Sequence, residues 1–131
     1  MIGLDTNILI RYLINDDPKQ AAVAKKFIET KARTEKFFIN HIVLCELVWV
    51  LLGSYKLSKN QVLDTLEKIL STEEFEVENS QQAWEALSDY RESGADFSDC
   101  LIGRINRAAG CSTSISFDKS VKTLKSFEIL S

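Results

Sequence analysis

Apolar and polar positions along the chain switch repeatedly between the spacing of strands and the spacing of helices. The chain opens with the apolar segment Ile2-Gly3-Leu4, and after the polar triplet Asp5-Thr6-Asn7 the apolar residues recur with helical spacing up to Leu13. The same criteria predict further strands over residues 37–39, 75–77, 111–117 and 127–130. They predict helices over residues 8–13, 18–30, 42–55, 58–70, 80–92 and 96–109, with a weak helical turn over 119–125.

Strands that alternate with helices along a whole chain are typical of a parallel sheet covered by helices on both faces. We therefore expect an α/β fold with a mostly parallel sheet of four to five strands. The length of 131 residues is close to the commonest domain size, and no linker or repeat interrupts the pattern. The sequence predicts a single domain over residues 1–131.

The amino-acid composition and the net charge exclude several classes of protein. Apolar residues make up 45% of the chain and charged residues 27%, which is typical of globular proteins and argues against disorder. The net charge of −3 gives no long-range attraction to nucleic acid, so such binding would depend on a local patch or on metal ions. The apolar run 42–52 is too short to span a bilayer, and no signal-peptide pattern opens the chain. We expect a cytoplasmic protein with no membrane partner.

The three cysteines, Cys45, Cys100 and Cys111, are widely spaced and form no C-x-x-C pair. An odd number of scattered cysteines is typical of small buried apolar residues in a reduced protein. A zinc site is therefore not expected.

Asp5 is the first candidate for chemistry, because it lies where the first strand ends and the first helix begins. Ligands of open α/β sheets bind at that edge. The alternative is a purely structural one, since Asp and Thr are both favoured N-caps and either Asp5 or Thr6 could serve as one.

Glu46 is the most informative residue of the sequence. It interrupts the apolar run 42–52, so we expect its side chain to be at least half buried. A buried carboxylate is costly unless it is paired or bound to metal. Glu46 is therefore either a metal ligand or catalytic base, or the partner of a buried Arg or Lys.

Three further acids lie, like Asp5, at the end of a predicted strand or the start of a predicted helix. Asp96 and Asp99 stand three residues apart at the start of a predicted helix, and Asp118 follows a predicted strand as Asp5 does. Each has a structural alternative: the first two resemble a capping box, and Asp118 fits an Asx-turn.

In a parallel sheet these strand ends and helix starts share one edge, so the acids can meet there. Several carboxylates so gathered would repel each other without a cation. Oxygen ligands without His or Cys favour Mg²⁺ or Mn²⁺. His41 more plausibly serves to begin its helix than to bind metal. Asn7 and Ser116 are placed to orient water or carboxylates, or else to satisfy backbone groups.

The sequence around these acids resembles that of the PIN-domain ribonucleases, of the kind that serves as the toxin in VapBC-type toxin–antitoxin pairs. The resemblance covers essentially the full chain and implies the PIN three-layer sandwich. It rests on four segments in order: Ile2-Gly3-Leu4-Asp5-Thr6-Asn7, Ile42-Val43-Leu44-Cys45-Glu46-Leu47, Gly94-Ala95-Asp96-Phe97-Ser98-Asp99-Cys100-Leu101-Ile102 and Ser116-Phe117-Asp118.

The resemblance implies roles for individual residues. Asp5, Glu46 and Asp99 match the three core metal-binding acids of the family, and Asp118 matches the more variable fourth. Asp96 matches an acid found in some members, which leaves open whether Asp96 or Asp99 is the closer ligand. Asn40, just before the Glu46 helix, stands where members often have Ser or Thr, which puts only a secondary hydrogen bond in doubt.

The implied activity is metal-dependent hydrolysis of RNA phosphodiester bonds with Mg²⁺ or Mn²⁺ as cofactor. Thr6, Asn7 and Ser116 would support the acids. Arg11, Lys119 and Lys122 are candidates for phosphate contact, with solvated surface charge as the alternative.

The resemblance also implies a small antitoxin with a basic inhibitory segment. A homodimer is suggested by surplus apolar surface around Trp49, Leu52 and Leu63.

Two other functions fit parts of the pattern. A PIN fold without activity could serve as a binding module, although all four acids are present. A phospho-acceptor signalling domain is also acidic and doubly wound, but it needs an Asp at the end of a middle strand. Here that strand is followed by Asn40-His41, which counts against it.

Overall fold

A computed structural model describes all residues from Met1 to Ser131. The chain forms two compact units, residues 1–78 and residues 79–131. The first unit contains three strands and four helices. In chain order they are β1 (Ile2–Gly3), α1 (Thr6–Leu13), α2 (Pro18–Lys31), β2 (Phe37–Ile39), α3 (His41–Gly53), α4 (Lys59–Ser71) and β3 (Phe75–Val77).

The three strands of the first unit form a parallel sheet in the order β1-β2-β3. Phe37 on the central strand is fully buried, and its ring lies 6.3 Å from that of Phe27 and 6.4 Å from that of Phe75. Aromatic pairs at such distances contribute beyond the apolar area that they bury. The β-branched and aromatic composition of β2, with Phe37 and Ile39 buried and Phe38 partly buried, explains why this short run forms a central strand.

Polar side chains set the starts of these helices as the sequence predicted. The carboxylate of Asp17 accepts a hydrogen bond from the backbone N–H of Gln20, and Pro18 occupies the first helical position of α2. Ser58 and Gln61 form a reciprocal capping box at the start of α4. Because these caps satisfy N–H groups that no helical carbonyl can reach, they place the helix starts accurately.

The second unit begins with Asn79, whose side chain caps the next helix. It contains two helices, two strands and one short 3-10 helix. In chain order they are α5 (Ser80–Glu92), α6 (Phe97–Ala108), β4 (Ser114–Ser116), the 3-10 helix Lys119–Thr123 and β5 (Phe127–Ile129). The strands β4 and β5 pair in parallel and form a two-stranded sheet.

Two glycines shape the second unit. Gly110 follows the end of α6 with a φ of 100°, the left-handed conformation that ends many helices. Gly103 lies inside α6, where an added Cβ would stand 2.7 Å from the hydroxyl oxygen of Ser126 and 3.0 Å from the ring of Phe127. The absence of a side chain at residue 103 therefore allows α6 to approach the start of β5.

The predicted elements are present, and every strand pairing is parallel. The five strands are hydrogen-bonded as one three-stranded and one two-stranded sheet. Several large apolar residues of the helices are partly exposed: Phe27, Trp84, Ile102 and Ile105. None of the helices has the length and apolar character needed to cross a membrane.

Candidate metal centre

Thr6 joins two of the predicted acids of the first unit. Asp5 directly follows β1 and precedes α1, where its carboxylate accepts a 2.7 Å hydrogen bond from the backbone N–H of Thr6. The hydroxyl of the same threonine donates a 2.9 Å hydrogen bond to Oε1 of Glu46 on α3. Thr6 itself is buried, so both bonds start from a fixed position. The carboxylates of Asp5 and Glu46 are therefore held side by side at the end of β1.

The expected burial of Glu46 is wrong. The residue is exposed, although its neighbours Leu44, Leu47 and Val48 are buried. The exposed side of α3 carries Ile42 and Trp49, so the apolar run does not mark a helix buried on all sides. Glu46 forms no ion pair, which removes the alternative of a buried Arg or Lys partner. Its recorded hydrogen bond is the one from Thr6.

Asp96 and Asp99 lie at the start of α6 in the second unit. Asp96 has the backbone conformation of an N-cap, but its side chain makes no capping hydrogen bond. Its carboxylate therefore remains available, contrary to the capping-box alternative. The pKa of Asp99 is raised above its ordinary value, first by burial and then by the negative charges of Asp96 and Asp118. A carboxyl group in these surroundings gains from a nearby cation.

Asp118 follows β4, and its pKa is shifted in the opposite direction from that of Asp99. Its carboxylate accepts a 2.9 Å hydrogen bond from the backbone N–H of Ser120, and this bond lowers the pKa of Asp118. The hydroxyl of Ser116 in turn accepts a 2.9 Å hydrogen bond from the backbone N–H of Asp118. Ser116 thus fixes the backbone of Asp118, which is one of the two roles expected for it. The Asx-turn alternative for Asp118 describes its local geometry correctly.

Ser120 is the residue that sequence reasoning missed. Its N–H holds the Asp118 carboxylate, while its hydroxyl oxygen is buried without a hydrogen-bond partner. The spacing of two residues after an Asp that ends a strand is the signal that could have identified it, because Asx-turns use that spacing.

Asn7 and His41 have no direct place among the acids. The Asn7 side chain is exposed and lines an apolar cavity of the first unit. His41 begins α3, as expected, and its backbone N–H donates a 2.9 Å hydrogen bond to Glu78. The side chain of Asn40 accepts a hydrogen bond from the N–H of Val43 and so caps α3. Asn at this position therefore keeps the capping bond that Ser or Thr would make.

Arg11 is engaged within the protein and does not stand free as expected of a phosphate contact. Its guanidinium donates hydrogen bonds to Gln20, Asp16 and the hydroxyl of Tyr55, at 2.6, 3.1 and 3.0 Å. Lys119 and Lys122, in contrast, are exposed and have no ion-pair partner. Of the three predicted cations, the two lysines remain available for a phosphate group.

The donor set fits a hard divalent cation. Carboxylate oxygens are the available ligands in each unit, and Mg²⁺ and Mn²⁺ prefer such oxygens. Within neither unit do three or more His, Cys, Asp or Glu side chains gather into a complete metal site. The first unit supplies the pair Asp5 and Glu46, and the second supplies Asp96, Asp99 and Asp118.

Two comparisons relate this chain to known proteins. The family model described as the PIN domain matches residues 2–125. The chain is also similar to a VapC ribonuclease of Aquifex aeolicus (strain VF5). The two are 31% identical over 121 residues, which cover 92% of this chain and 90% of that protein. The α/β fold class expected from the alternation of strands and helices is confirmed.

Proposed function

This chain belongs to the PIN-domain family, and we propose that it is a metal-dependent endoribonuclease, the toxin of a type II toxin–antitoxin pair. The shared hydrogen-bond donor of Asp5 and Glu46 is the observation that carries the proposal. Thr6 holds two carboxylates together at the end of a parallel strand, where α/β proteins bind their ligands. Asp5 is also the N-cap of α1, so the bond from the Thr6 hydroxyl to Glu46 is the part of this arrangement that helix capping does not require. The similarity to a VapC ribonuclease supports the reaction class.

Asp5, Glu46, Asp99 and Asp118 are the residues that we propose as metal ligands, with Asp96 as a further candidate. A bound Mg²⁺ or Mn²⁺ ion would supply a hydroxide nucleophile and would stabilise the leaving oxygen of the phosphodiester. The four-acid set is supported by the match of the PIN family to both units. The free carboxylate of Asp96 supports this residue as a fifth candidate.

Residues around the proposed metal ligands orient them or shift their pKa values. Thr6 orients the Glu46 carboxylate, and the N–H of Ser120 keeps Asp118 in the charged form that binds metal. Asp99 has a raised pKa, so a cation that binds there relieves an unfavourable charge. Metal binding should therefore release a proton from Asp99 at a pH near its raised pKa.

The RNA backbone would be contacted by Lys119 and Lys122, which lie next to Asp118 and have no other partner. We leave Arg11 out of this set because its donors are already engaged. A cation paired to protein carboxylates gains less from a phosphate than a free one.

The test is an RNA cleavage assay with purified protein. We expect cleavage with Mg²⁺ or Mn²⁺, none with chelator, and none in Asp5→Asn or Asp99→Asn. Circular dichroism should show that both variants keep the fold. Lys56→Gln, which removes an exposed charge of the first unit, should cleave normally. Cleavage that persists in chelator would contradict the proposed mechanism.

An inactive PIN fold that only binds a partner is the second candidate. It predicts no cleavage under any metal condition, so the same assay separates the two functions. A phospho-acceptor domain is disfavoured because Asn40, after the central strand β2, caps α3. We keep the single domain over residues 1–131 as a proposal, since the PIN match includes residues of both units.

The proposed partners are RNA and a small antitoxin with a basic segment. The support is chemical: an Arg or Lys side chain can bind carboxylates that would otherwise bind metal. The toxin role would place the protein in the cytoplasm, with its RNA substrate.

We further propose a homodimer that uses the exposed side of α3. Ile42 and Trp49, two turns apart on this helix, are 71% and 57% exposed. Contiguous exposed apolar patches, unlike single exposed residues, mark protein–protein contact sites. Leu63, which was expected to share this surface, is buried in the first unit and does not belong to it.

Light scattering should show a dimer at high concentration, and Trp49→Lys should convert it to a monomer. Val23→Lys is the control, because Val23 is a large exposed apolar residue on a different helix, α2. A wild-type monomer at all concentrations would contradict the proposal.

A further inference from the structure

A polar cavity of about 340 Å³ lies within the second unit. Its walls are the later half of α5, the later half of α6 and the segment 123–126 before β5. Ionised side chains contribute three cations and two carboxylates to the lining, and hydroxyl groups contribute much of the rest. The charged residues are Asp89, Glu92, Arg104, Arg107 and Lys125.

Arg104 is a fixed part of the wall. Its guanidinium forms a two-point ion pair with Asp89, through N–O distances of 2.7 and 2.9 Å, and a third contact of 3.3 Å to Glu85. Such a two-point pair holds both side chains in one orientation. The charge of Asp89 is thereby balanced, and one wall of the cavity is preformed.

Arg107 and Lys125 form no ion pair, although the carboxylate of Glu92 lines the same cavity. Neither side chain takes part in an ion pair or a side-chain hydrogen bond. The hydroxyls of Ser88 and Thr123, which also line the cavity, have no recorded partner either. Two cations without ion-pair partners and two free hydroxyl donors around one cavity form a set that suits an oxyanion.

We propose that this cavity binds a phosphate group, with Arg107 and Lys125 as the charged contacts and Thr123 as a hydroxyl donor. Arginine matches the geometry of phosphate oxygens, and lysine adds a compact charge. The cavity volume of about 340 Å³ is much larger than the volume of about 30 Å³ that one water molecule occupies in the liquid. The site is thus large enough for a phosphate together with part of the molecule that carries it.

The site is separate from the proposed metal ligand Asp99. Arg107 follows Asp99 by eight residues on α6, which corresponds to about 12 Å along the helix axis. The phosphate could belong to the RNA chain, beyond the bond that is cut, or to a free phosphate or mononucleotide. The first source rests on the proposed ribonuclease function, whereas the second is independent of it.

Substitution of Glu92 should change phosphate binding in the opposite direction from substitution of Arg107 or Lys125. The carboxylate of Glu92 lines the cavity without an ion-pair partner and would repel a phosphate group. Glu92→Gln should therefore strengthen phosphate binding, whereas Arg107→Gln and Lys125→Gln should weaken it. Opposite effects from three exposed positions are hard to attribute to a folding defect.

The first experiment titrates inorganic phosphate into the full chain in chelator, followed by calorimetry or phosphorus NMR. We expect the Arg107→Gln, Lys125→Gln double variant to bind at least about tenfold more weakly, as expected for the loss of charged hydrogen bonds. The matched control is Lys26→Gln, Lys36→Gln, which removes two exposed lysines of the first unit. Thermal melts should give the same midpoint for all proteins.

The second experiment measures binding of a fluorescent single-stranded oligoribonucleotide in chelator at several salt concentrations. If the site takes an RNA phosphate, the double variant should lose about 0.7 from the slope of log affinity against log salt, the value for one phosphate. An unchanged slope together with lost phosphate binding supports a free phosphate or mononucleotide as the ligand.

The proposal is overturned if the double variant matches its control in both assays, or if Glu92→Gln does not strengthen binding in either. A protein that binds phosphate here but never cleaves RNA would refute the proposed ribonuclease and leave this site standing.

Discussion

Asp99→Asn should lower the rate of RNA cleavage by about 100-fold or more and at the same time stabilise the metal-free protein near neutral pH. Groups that only support a metal ligand cost about 10–100-fold when removed, and a direct ligand should cost at least the upper value. The gain in stability has a separate cause. The carboxylate of Asp99 is partly buried beside Asp96 and Asp118, and the amide of asparagine carries no charge to be repelled.

The pH dependence follows from the direction of the pKa shift. The folded-state pKa of Asp99 lies above the ordinary value of 3.8, so the folded protein holds this proton more tightly than the unfolded chain. Below the ordinary value both states are protonated, and Asp99 has no effect on stability. As the pH rises through the raised pKa the charged form destabilises the fold, and the penalty is complete near neutrality.

The measurement is thermal unfolding of wild type and Asp99→Asn in chelator from pH 3 to pH 7. The midpoints should coincide at the acid end and diverge toward neutrality, with the variant higher. Asp118→Asn should change stability in the opposite direction, because the pKa of Asp118 is lowered by its bond from Ser120. That stabilising contribution is present above the ordinary pKa and is lost as the pH falls through the lowered one.

Glu46→Gln serves as the control that separates activity from stability. Glu46 is exposed, and exposed substitutions usually change stability by within about 0.5 kcal/mol. We expect this variant to lose cleavage like Asp99→Asn but to melt like wild type in chelator. If Asp99→Asn were less stable than wild type at pH 7, the unfavourable charge assigned to Asp99 would be wrong.

Local signals in the sequence were enough to predict the elements. Caps such as Ser58 with Gln61, and the glycine after α6, act through a few neighbouring residues, so they can be recognised without knowledge of the fold. Short β-branched and aromatic runs, such as Phe37–Ile39, were likewise predicted as strands. The position of Asp5 and Asp118 directly after strands followed from these boundaries.

Burial was predicted less well, because it depends on which side of an element meets the rest of the protein. Helix α3 is apolar on nearly all sides, so its sequence gives no periodicity by which to identify the face that carries Glu46. On α6, the large apolar residues Ile102 and Ile105 are likewise partly exposed. An apolar residue is no proof of burial, since much of any protein surface is apolar.

Hydrogen bonds between distant residues were the other feature beyond the reach of sequence patterns. The bond from Thr6 to Glu46 spans forty residues, and the contact from Arg11 to Tyr55 spans forty-four. Residue types alone indicated that Thr6 could support the acids and that Arg11 could bind phosphate. Only the folded geometry shows that the first is engaged with an acid and the second with its own protein.

Thr6→Val should lower cleavage by about 10–100-fold, whereas Thr6→Ser should stay close to wild type. Valine keeps the approximate shape of threonine and the backbone N–H that Asp5 accepts, but it removes the hydroxyl that donates to Glu46. Loss of a group that orients a metal ligand has effects of this size. Serine retains the hydroxyl, so it tests whether the hydrogen bond and not the methyl group is responsible.

A residue that positions a metal ligand changes the metal concentration that the enzyme needs, whereas a purely structural residue does not. If Thr6 orients Glu46 for metal, Thr6→Val should require a higher Mg²⁺ or Mn²⁺ concentration for half-maximal cleavage. Its stability in chelator should fall by only about 1 kcal/mol, the usual net contribution of one hydrogen bond, because the exposed Glu46 carboxylate can bond to water instead. Cleavage titrations against metal and thermal melts in chelator measure the two effects separately. An unchanged metal requirement in Thr6→Val would show that the hydroxyl of Thr6 does not position Glu46 for catalysis.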